Sequence, residues 1–298
     1  IQHIFSFLFC FTYSITLNKG ELYQGQSAGD LTGTLIEVNN GEQSCMNISV
    51  FAGNICTNVG GCSYCDHLYE ALLPVPIWGK EYIAIPLKNR LGDQFTILAS
   101  ENGTTVDVGG TIQYLNAGEK YLYFSDTEHY INSNEPICLT QFCTGNQCNN
   151  LDGDPLMIIH SPLNQRLNDI YFNAFVSSYI TDYYLNVITP NTNTNNLVLD
   201  GQNINSQLSP LPSNSAYSYA KVEISSGNHN LTSDEGMVAY IYGFGGPESY
   251  GYSAGNSLID FTDSFSVVNL SNTDTAICVF DKIQFNEYLS PDVLSWKW

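Results

Sequence analysis

The residues best equipped for chemistry crowd into one stretch, Cys56-x5-Cys62-x2-Cys65-Asp66-His67, with Glu70 and Trp78 close behind. Thiolates at C-x2-C spacing plus an imidazole can close a tetrahedron around Zn²⁺. No second C-x2-C and no H-x3-H lies nearby to strengthen that reading. In an oxidising compartment such thiols form disulfides instead, which suits cysteines set in Gly- and Asn-rich turns. Disulfides are therefore the expectation, with Cys56 and Cys65 the preferred local loop. Cys143 with Cys148 is a second candidate, and Cys62 can cross to either cluster, so the connectivity stays open. His67 beside Asp66, with Glu70 three residues on, can be drawn as an acid/base site. G-x-S-x-G and H-E-x-x-H are both absent. The expectation is that Asp66 caps a short turn while His67 and Glu70 hydrogen-bond the excursion into place.

Three further constellations carry chemical residue types. His160-Ser161 follows Asp152 and Asp154, but triads are assembled in space and not by proximity in sequence. Asn149 to Asp154, NNLDGD, offers carboxylates and amides around a glycine turn, so Asp152 and Asp154 are candidate Ca²⁺ ligands and Ca²⁺ the one candidate cofactor. A plain Asx turn explains the same residues. Last, Tyr240-Ile241-Tyr242-Gly243-Phe244 and Glu248-Ser249-Tyr250-Gly251-Tyr252 place tyrosines at period two. Alternation sets Tyr240 and Tyr242 on one strand face, Ala239 and Ile241 on the other. Exposed, they form a recognition surface; buried, they are cross-strand packing pairs. The candidate binding residues are thus Tyr240, Tyr242, Tyr250, Tyr252, Asp66, His67, Glu70 and Trp78.

The elements that must position these residues read as strands. Val50 to Gly53 ends one apolar strand, Tyr82 to Ile85 begins another, and Gly60-Gly61, Pro74 and Pro76 pin the excursion between them. Leu17-Asn18-Lys19-Gly20-Glu21 returns as Leu115-Asn116-Ala117-Gly118-Glu119, and more weakly as Ile224-Ser225-Ser226-Gly227. Each copy supplies hairpin turn chemistry. A continuously apolar run ending in glycine follows each: Ile48 to Gly53, Ile137 to Gly145, and Met237 to Gly245. The repeat of roughly a hundred residues is typical of a β-sandwich. Helical periodicity is nearly absent; only Asp66 to Leu73 and Ser161 to Leu167 read as a short turn or two. The expected fold is all-β, tandem β-sandwich-like modules over 1–93 (truncated), 94–182 and 183–258, with an incomplete further domain over 259–298. The chain reads as a piece of a longer protein, and Ile4 to Phe11 as a truncated strand.

Composition bounds the partners. The chain has 298 residues, 43% of them hydrophobic and 13% charged, enough for a substantial core. With 9 Lys and Arg against 29 Asp and Glu, the net charge is −20. Contacts to phosphate need clustered cations, so no nucleic-acid partner is expected, and anionic membrane surfaces are disfavoured for the same reason. The opening apolar run is too short to span a bilayer, so no direct membrane insertion is expected. Nine cysteines and an Asn/Ser/Thr/Tyr-rich surface fit an extracellular setting.

Several motifs in order also resemble a known family. Ile15 to Thr34 (ITLNKGELYQGQSAGDLTGT), Val50-Phe51-Ala52-Gly53-Asn54, Cys65-Asp66-His67-Leu68, Trp78-Gly79-Lys80-Glu81-Tyr82, Gly92-Asp93-Gln94-Phe95 and Gly153-Asp154-Pro155-Leu156-Met157 are similar to the IgGFc-binding domain. Tyr242-Gly243-Phe244-Gly245 completes the match, which covers about Tyr13 to Ser257. That domain occurs in a mucin-associated animal protein and in surface proteins of gliding bacteria, whose three-cysteine arrangement this chain resembles. Thr273 to Trp298 resembles the opening of a PKD- or immunoglobulin-like module. The resemblance implies a non-enzymatic, extracellular or cell-surface adhesion module that grips a protein or glycan ligand. Asn/Thr-rich loops such as Thr189 to Asn196 would lie at its rim. The alternatives are a purely structural stalk and a surface hydrolase.

Overall fold

A computed structural model describes residues 2–7, 11–39, 48–61, 65–149, 151–192, 196–246, 248–258, 266–269 and 283–286. The chain divides into two compact units, one from residues 1–49 and 260–298, the other from 50–259. In the first unit, β1 (Gln2–Phe7) lies between β2 (Phe11–Thr16) and β3 (Leu35–Asn39) in an antiparallel sheet.

The second unit opens with a hairpin of β4 (Phe51–Thr57) and β5 (Asp66–Ala71). Next come β6 (Gly79–Ala84), β7 (Asp93–Ala99), β8 (Thr104–Val108), β9 (Thr111–Leu115), β10 (Lys120–Ser125), β11 (His129–Cys143) and β12 (Met157–Ile159). Strand β11 is the hinge of this sheet. Its first half pairs with β6 and β8, its second half with β7 and β12. The register shifts between Asn132 and Ile137, where Pro136 has no N–H to give to the ladder. Two layers result, β6–β11–β8–β9 and β12–β11–β7–β10. Period-two alternation sends Tyr82, Phe95, Ile97, Val106, Ile131 and Leu139 into the space between them.

A second sandwich repeats the plan. It contains β13 (Leu167–Ala174), β14 (Asp182–Pro190), β15 (Val198–Leu199), β16 (Gln202–Asn203), β17 (Ser209–Pro210), β18 (Tyr217–Glu223), β19 (Gly227–Gly245) and β20 (Glu248–Ser253). Here β19 does the work of β11: its first half pairs with β13 and β15, its second with β14 and β20. The corner falls at Gly236, whose φ of 73° is left-handed. Leu185, Val187, Leu231, Ala239 and Ile241 fill this interior.

Beyond these, β21 (Ser266–Asn269) pairs with β22 (Ile283–Asn286). The rest of the tail expected to resemble a PKD-like module lies outside the described residues.

The repeated Leu-Asn-x-Gly-Glu sequence folds into the same turn twice. Glu21 and Glu119 each accept the backbone N–H of the asparagine three residues earlier, at 2.8 Å in both copies. Gly20 and Gly118 follow at φ of 85° and 78°. Sheet membership runs from β6 to β12 and from β13 to β20, so joints at 93/94 and 182/183 fall inside a sandwich.

The two sandwiches share a third apolar layer. Ile83, Ile85, Leu87 and Ile158 of the first meet Tyr184, Ile188, Tyr240, Tyr242 and Phe244 of the second. Lys221–Glu128 (2.8 Å) and Lys88–Glu223 (3.0 Å) pair across its margin.

Candidate functional site

The cysteine-rich stretch builds a pinned hairpin. Its strands pair Phe51 with Ala71 and Asn54 with Leu68, and the Cys56–Cys65 disulfide closes the loop between them. Closing a loop of 9 residues removes chain entropy worth about 2.5 kcal/mol. Zinc is thereby excluded at Cys56 and Cys65, because their thiolates are spent; Cys62 lies outside the described residues. The segment from Asp66 is a strand and not the expected short turn, since pairing with β4 overrides the local capping signal.

Alternation then separates the acid/base candidates. Leu68 and Glu70 turn toward the body of the unit, where burial pushes the Glu70 carboxyl up to about 7. His67 points outward, 77% exposed, with its Nδ1 3.0 Å from Asp66 Oδ1. Asp66 Oδ1 also accepts the His67 backbone N–H at 2.7 Å. Trp78 donates its indole N–H to the Leu73 carbonyl at 3.0 Å, strapping down the chain that leaves β5. Asp66 and His67 touch; Glu70 and Trp78 do not join them. The outward face carries a different feature. Phe51 and Tyr69 stack in parallel, ring centroids 5.5 Å apart, with both rings exposed; Ile55, further along β4 at the register shift between Asn54 and Thr57, is 85% exposed. Gly53 permits the tight approach of the strands, because a Cβ there would sit 2.2 Å from the Leu68 carbonyl oxygen.

Tyr240 and Tyr242 are not a recognition surface: they are 1% and 0% exposed, sealed between the sandwiches. Both strand faces are apolar here, so alternation could not distinguish solvent from a neighbouring sandwich. Tyr242 donates to Asn186 Oδ1 at 2.8 Å and accepts the Lys88 N–H at 2.9 Å. The Tyr240 hydroxyl accepts the Ser161 N–H at 3.2 Å, and its ring packs on His160 with centroids 4.3 Å apart. Tyr250 and Tyr252 are half-exposed, stacked at 6.2 Å, and tie down the neighbouring strand: Tyr250 accepts the Phe175 N–H and Tyr252 donates to the Asn173 carbonyl.

The remaining candidates disperse. His160 is buried and donates Nε2–H to Gln141 Oε1 at 2.8 Å. Gln141 in turn donates to Asp93 Oδ2 at 2.7 Å, as does the Leu87 N–H. Burial pushes His160 down to about 3 and Asp93 up to about 6, so the imidazole stays neutral. Ser161 bonds Ser253 (2.9 Å), and no triad forms with Asp152 or Asp154. Asp93 and Gln141 are not among the residues that the sequence marks as a site; a carboxylate after Gly92 at a strand start is their one local signal. Cys143 is a free, buried thiol and Cys148 is disulfide-bonded elsewhere, so the expected Cys143–Cys148 loop does not form. Arg90 donates to the Asp152 carbonyl, and Ser249 to the Asp154 carbonyl at 2.6 Å. Burial, Asp66 and Glu248 raise the Asp154 carboxyl. Among the described residues no three His, Cys, Asp or Glu side chains gather as a metal-ligand set. The Thr189 to Asn196 loop lies partly outside the described residues.

The family model described as IgGFc binding protein matches residues 11–243, which takes in the hairpin and nearly all of both sandwiches. The chain belongs to the IgGFc-binding protein family. Human IgGFc-binding protein is 24% identical over 251 residues, 80% of this chain and 4% of that protein. The chain thus spans only a small piece of its curated relative. No solved structure matches significantly. Among the described residues of this family member, no helix is long and apolar enough to cross a membrane.

Proposed function

We propose that this chain is a binding module of an extracellular or cell-surface protein, gripping a protein or glycan ligand on another surface. The observation that carries this reading is the exposed stack of Phe51 on Tyr69, which with exposed Ile55 further along β4 belongs to a disulfide-pinned hairpin. Stacked rings present large contact area at low entropic cost, and aromatic anchors dominate protein recognition. The Cys56–Cys65 bond supports an oxidising compartment. The outward His67 and inward Glu70 support gripping over reacting, since they do not share a cleft. The human relative's name specifies the Fc of IgG as its ligand, so Fc is the first analyte. Cell adhesion is the role that suits a module of this kind.

The test is surface plasmon resonance of the whole chain against IgG Fc, followed by protein and glycan arrays. Tyr69→Ser with Ile55→Ser should weaken binding about 30-fold or more, the cost of losing a central anchor, and leave the melting temperature unchanged. Undiminished binding by that double variant would sink the reading. A second reading, a rigid stalk segment, is favoured by the apolar layer fusing the two sandwiches. It predicts that nothing in either array is retained.

A further inference from the structure

One cross-strand pair in the layer between the sandwiches joins an amine to a buried carboxamide. Asn186 on β14 lies directly opposite Lys221 on β18. Residues so paired point to one face, with Cβ atoms about 5 Å apart. On its other side Asn186 is in register with Tyr240 of β19, and it is 1% exposed. Its carboxamide is held at one atom. Tyr242 donates to Oδ1 at 2.8 Å, while the buried Nδ2 has no hydrogen-bond partner among the described residues. The Lys88 N–H, given to the Tyr242 oxygen at 2.9 Å, leaves the hydroxyl proton aimed at the amide.

Lys221 extends over the same face. Its Nζ is 2.8 Å from Glu128 Oε1, and the two side chains are only 24% and 15% exposed. A carboxylate beside an amine is a base that can deprotonate it. A hydroxyl already on the carbonyl oxygen stabilises the negative charge that addition places there. The packed tyrosines Tyr184, Tyr240 and Tyr242 keep water from competing for the carbonyl carbon. Nucleophile, base, electrophile and oxyanion donor therefore meet at one place, drawn from β18, the turn before β11, β14 and β19.

We infer that Lys221 and Asn186 condense into an isopeptide bond, a cross-link the folded chain makes for itself. The flexible lysine stem lets Nζ turn from Glu128 to Cγ of Asn186 while both strands stay in place. Glu128 takes one proton from the ammonium, and the freed lone pair forms the Nζ–Cγ bond. Tyr242 holds the oxyanion on Oδ1. The Cγ–Nδ2 bond then breaks, and a second proton from Nζ leaves with Nδ2 as ammonia. Nζ keeps its third proton as the new amide N–H. The exchange is an acyl transfer, with no oxidant and no cofactor. It binds β14 covalently to β18 across a closed loop of the second sandwich, and it involves neither Phe51 nor Tyr69, so it stands or falls separately from ligand binding.

Intact mass of the full chain, reduced and denatured, tests this. The expected chain is lighter than its sequence by one ammonia. Cleavage before Asp182, Asp200 and Asp234 should yield segments 182–199 and 200–233 as a single branched species, since only the cross-link joins them. Lys221→Arg keeps a cation beside Glu128 but removes the nucleophile. That variant should return to its full sequence mass, release the two segments separately and melt at a lower temperature. Glu128→Gln, which lacks the base, should link about 100-fold more slowly. A wild-type chain at its full sequence mass would overturn the inference, and that measurement needs no variant to fold. An ammonia loss that persists in Lys221→Arg would overturn it too, as would two unbranched segments from the wild type.

Discussion

Replacing Asp93 by asparagine isolates the cost of a buried carboxylate at the junction of the sandwiches. Asp93 is fully buried; the Leu87 amide and Gln141 hold Oδ2, while Oδ1 has no partner. Burial outweighs those two donors and raises its pKa from 3.8 to about 6. Proton counting sets the sign of the effect. Between the unfolded value near 4 and the folded value near 6, the native state holds a proton that the unfolded chain has released. Stability therefore falls as pH rises through that window, then stays lower above it. A pKa difference of about 2 corresponds to about 3 kcal/mol. An amide has no charge to desolvate, so that loss vanishes in Asp93→Asn. His160 contributes an opposite slope: its depressed pKa makes stability fall as pH drops below about 6.5. That slope is common to both proteins and cancels in the comparison. Urea unfolding of wild type and Asp93→Asn at pH 4, 6 and 8 is the assay. The stability difference should move by about 2.5 kcal/mol in favour of the variant between pH 4 and pH 8, the remainder of the shift lying below pH 4. Parallel pH profiles would refute the reasoning.

Cys56→Ser with Cys65→Ser should cost about 2.5 kcal/mol of hairpin stability, read as faster hydrogen exchange in β4 and β5 with both sandwich cores unchanged. Tyr242→Phe leaves the Lys88 N–H and Asn186 without their shared partner. It should lower global stability by about 1–3 kcal/mol in urea unfolding. Gly245→Ala would place a Cβ 1.8 Å from the Tyr179 carbonyl oxygen. Its melting temperature should drop, whereas His67→Ala, on an exposed face, should leave it unchanged.

Much of the fold was legible because its signals are local. The Leu-Asn-x-Gly-Glu turn is fixed by a glycine at positive φ and a glutamate three residues from its asparagine, and both lie within one short window. The apolar runs after Ile137 and Met237 announced central strands for the same reason. What stayed hidden depends on partners far away in sequence. Period-two tyrosines define a face but not what covers it; for Tyr240 the cover is Ser161 and His160. Asp66 has the look of a helix cap, yet β4 supplies a ladder that outcompetes it. Cys143 and Cys148 are close in sequence, but β11 carries Cys143 into the apolar layer between the sandwiches, where it stays reduced. Among the described residues the hairpin was singled out by its cysteines. Its exposed stack of Phe51 on Tyr69 was not, because neither residue is unusual on a strand.

Strands β11 and β19 each belong to both layers of their sandwich. Neither layer can peel away from its mate without tearing a ladder in the other. Tension entering at one end of such a unit is shared by every strand that the long one touches, so each sandwich should yield in a single step under load. The long strands thus give each sandwich resistance to being unzipped, built from covalent continuity and not from extra contacts between layers.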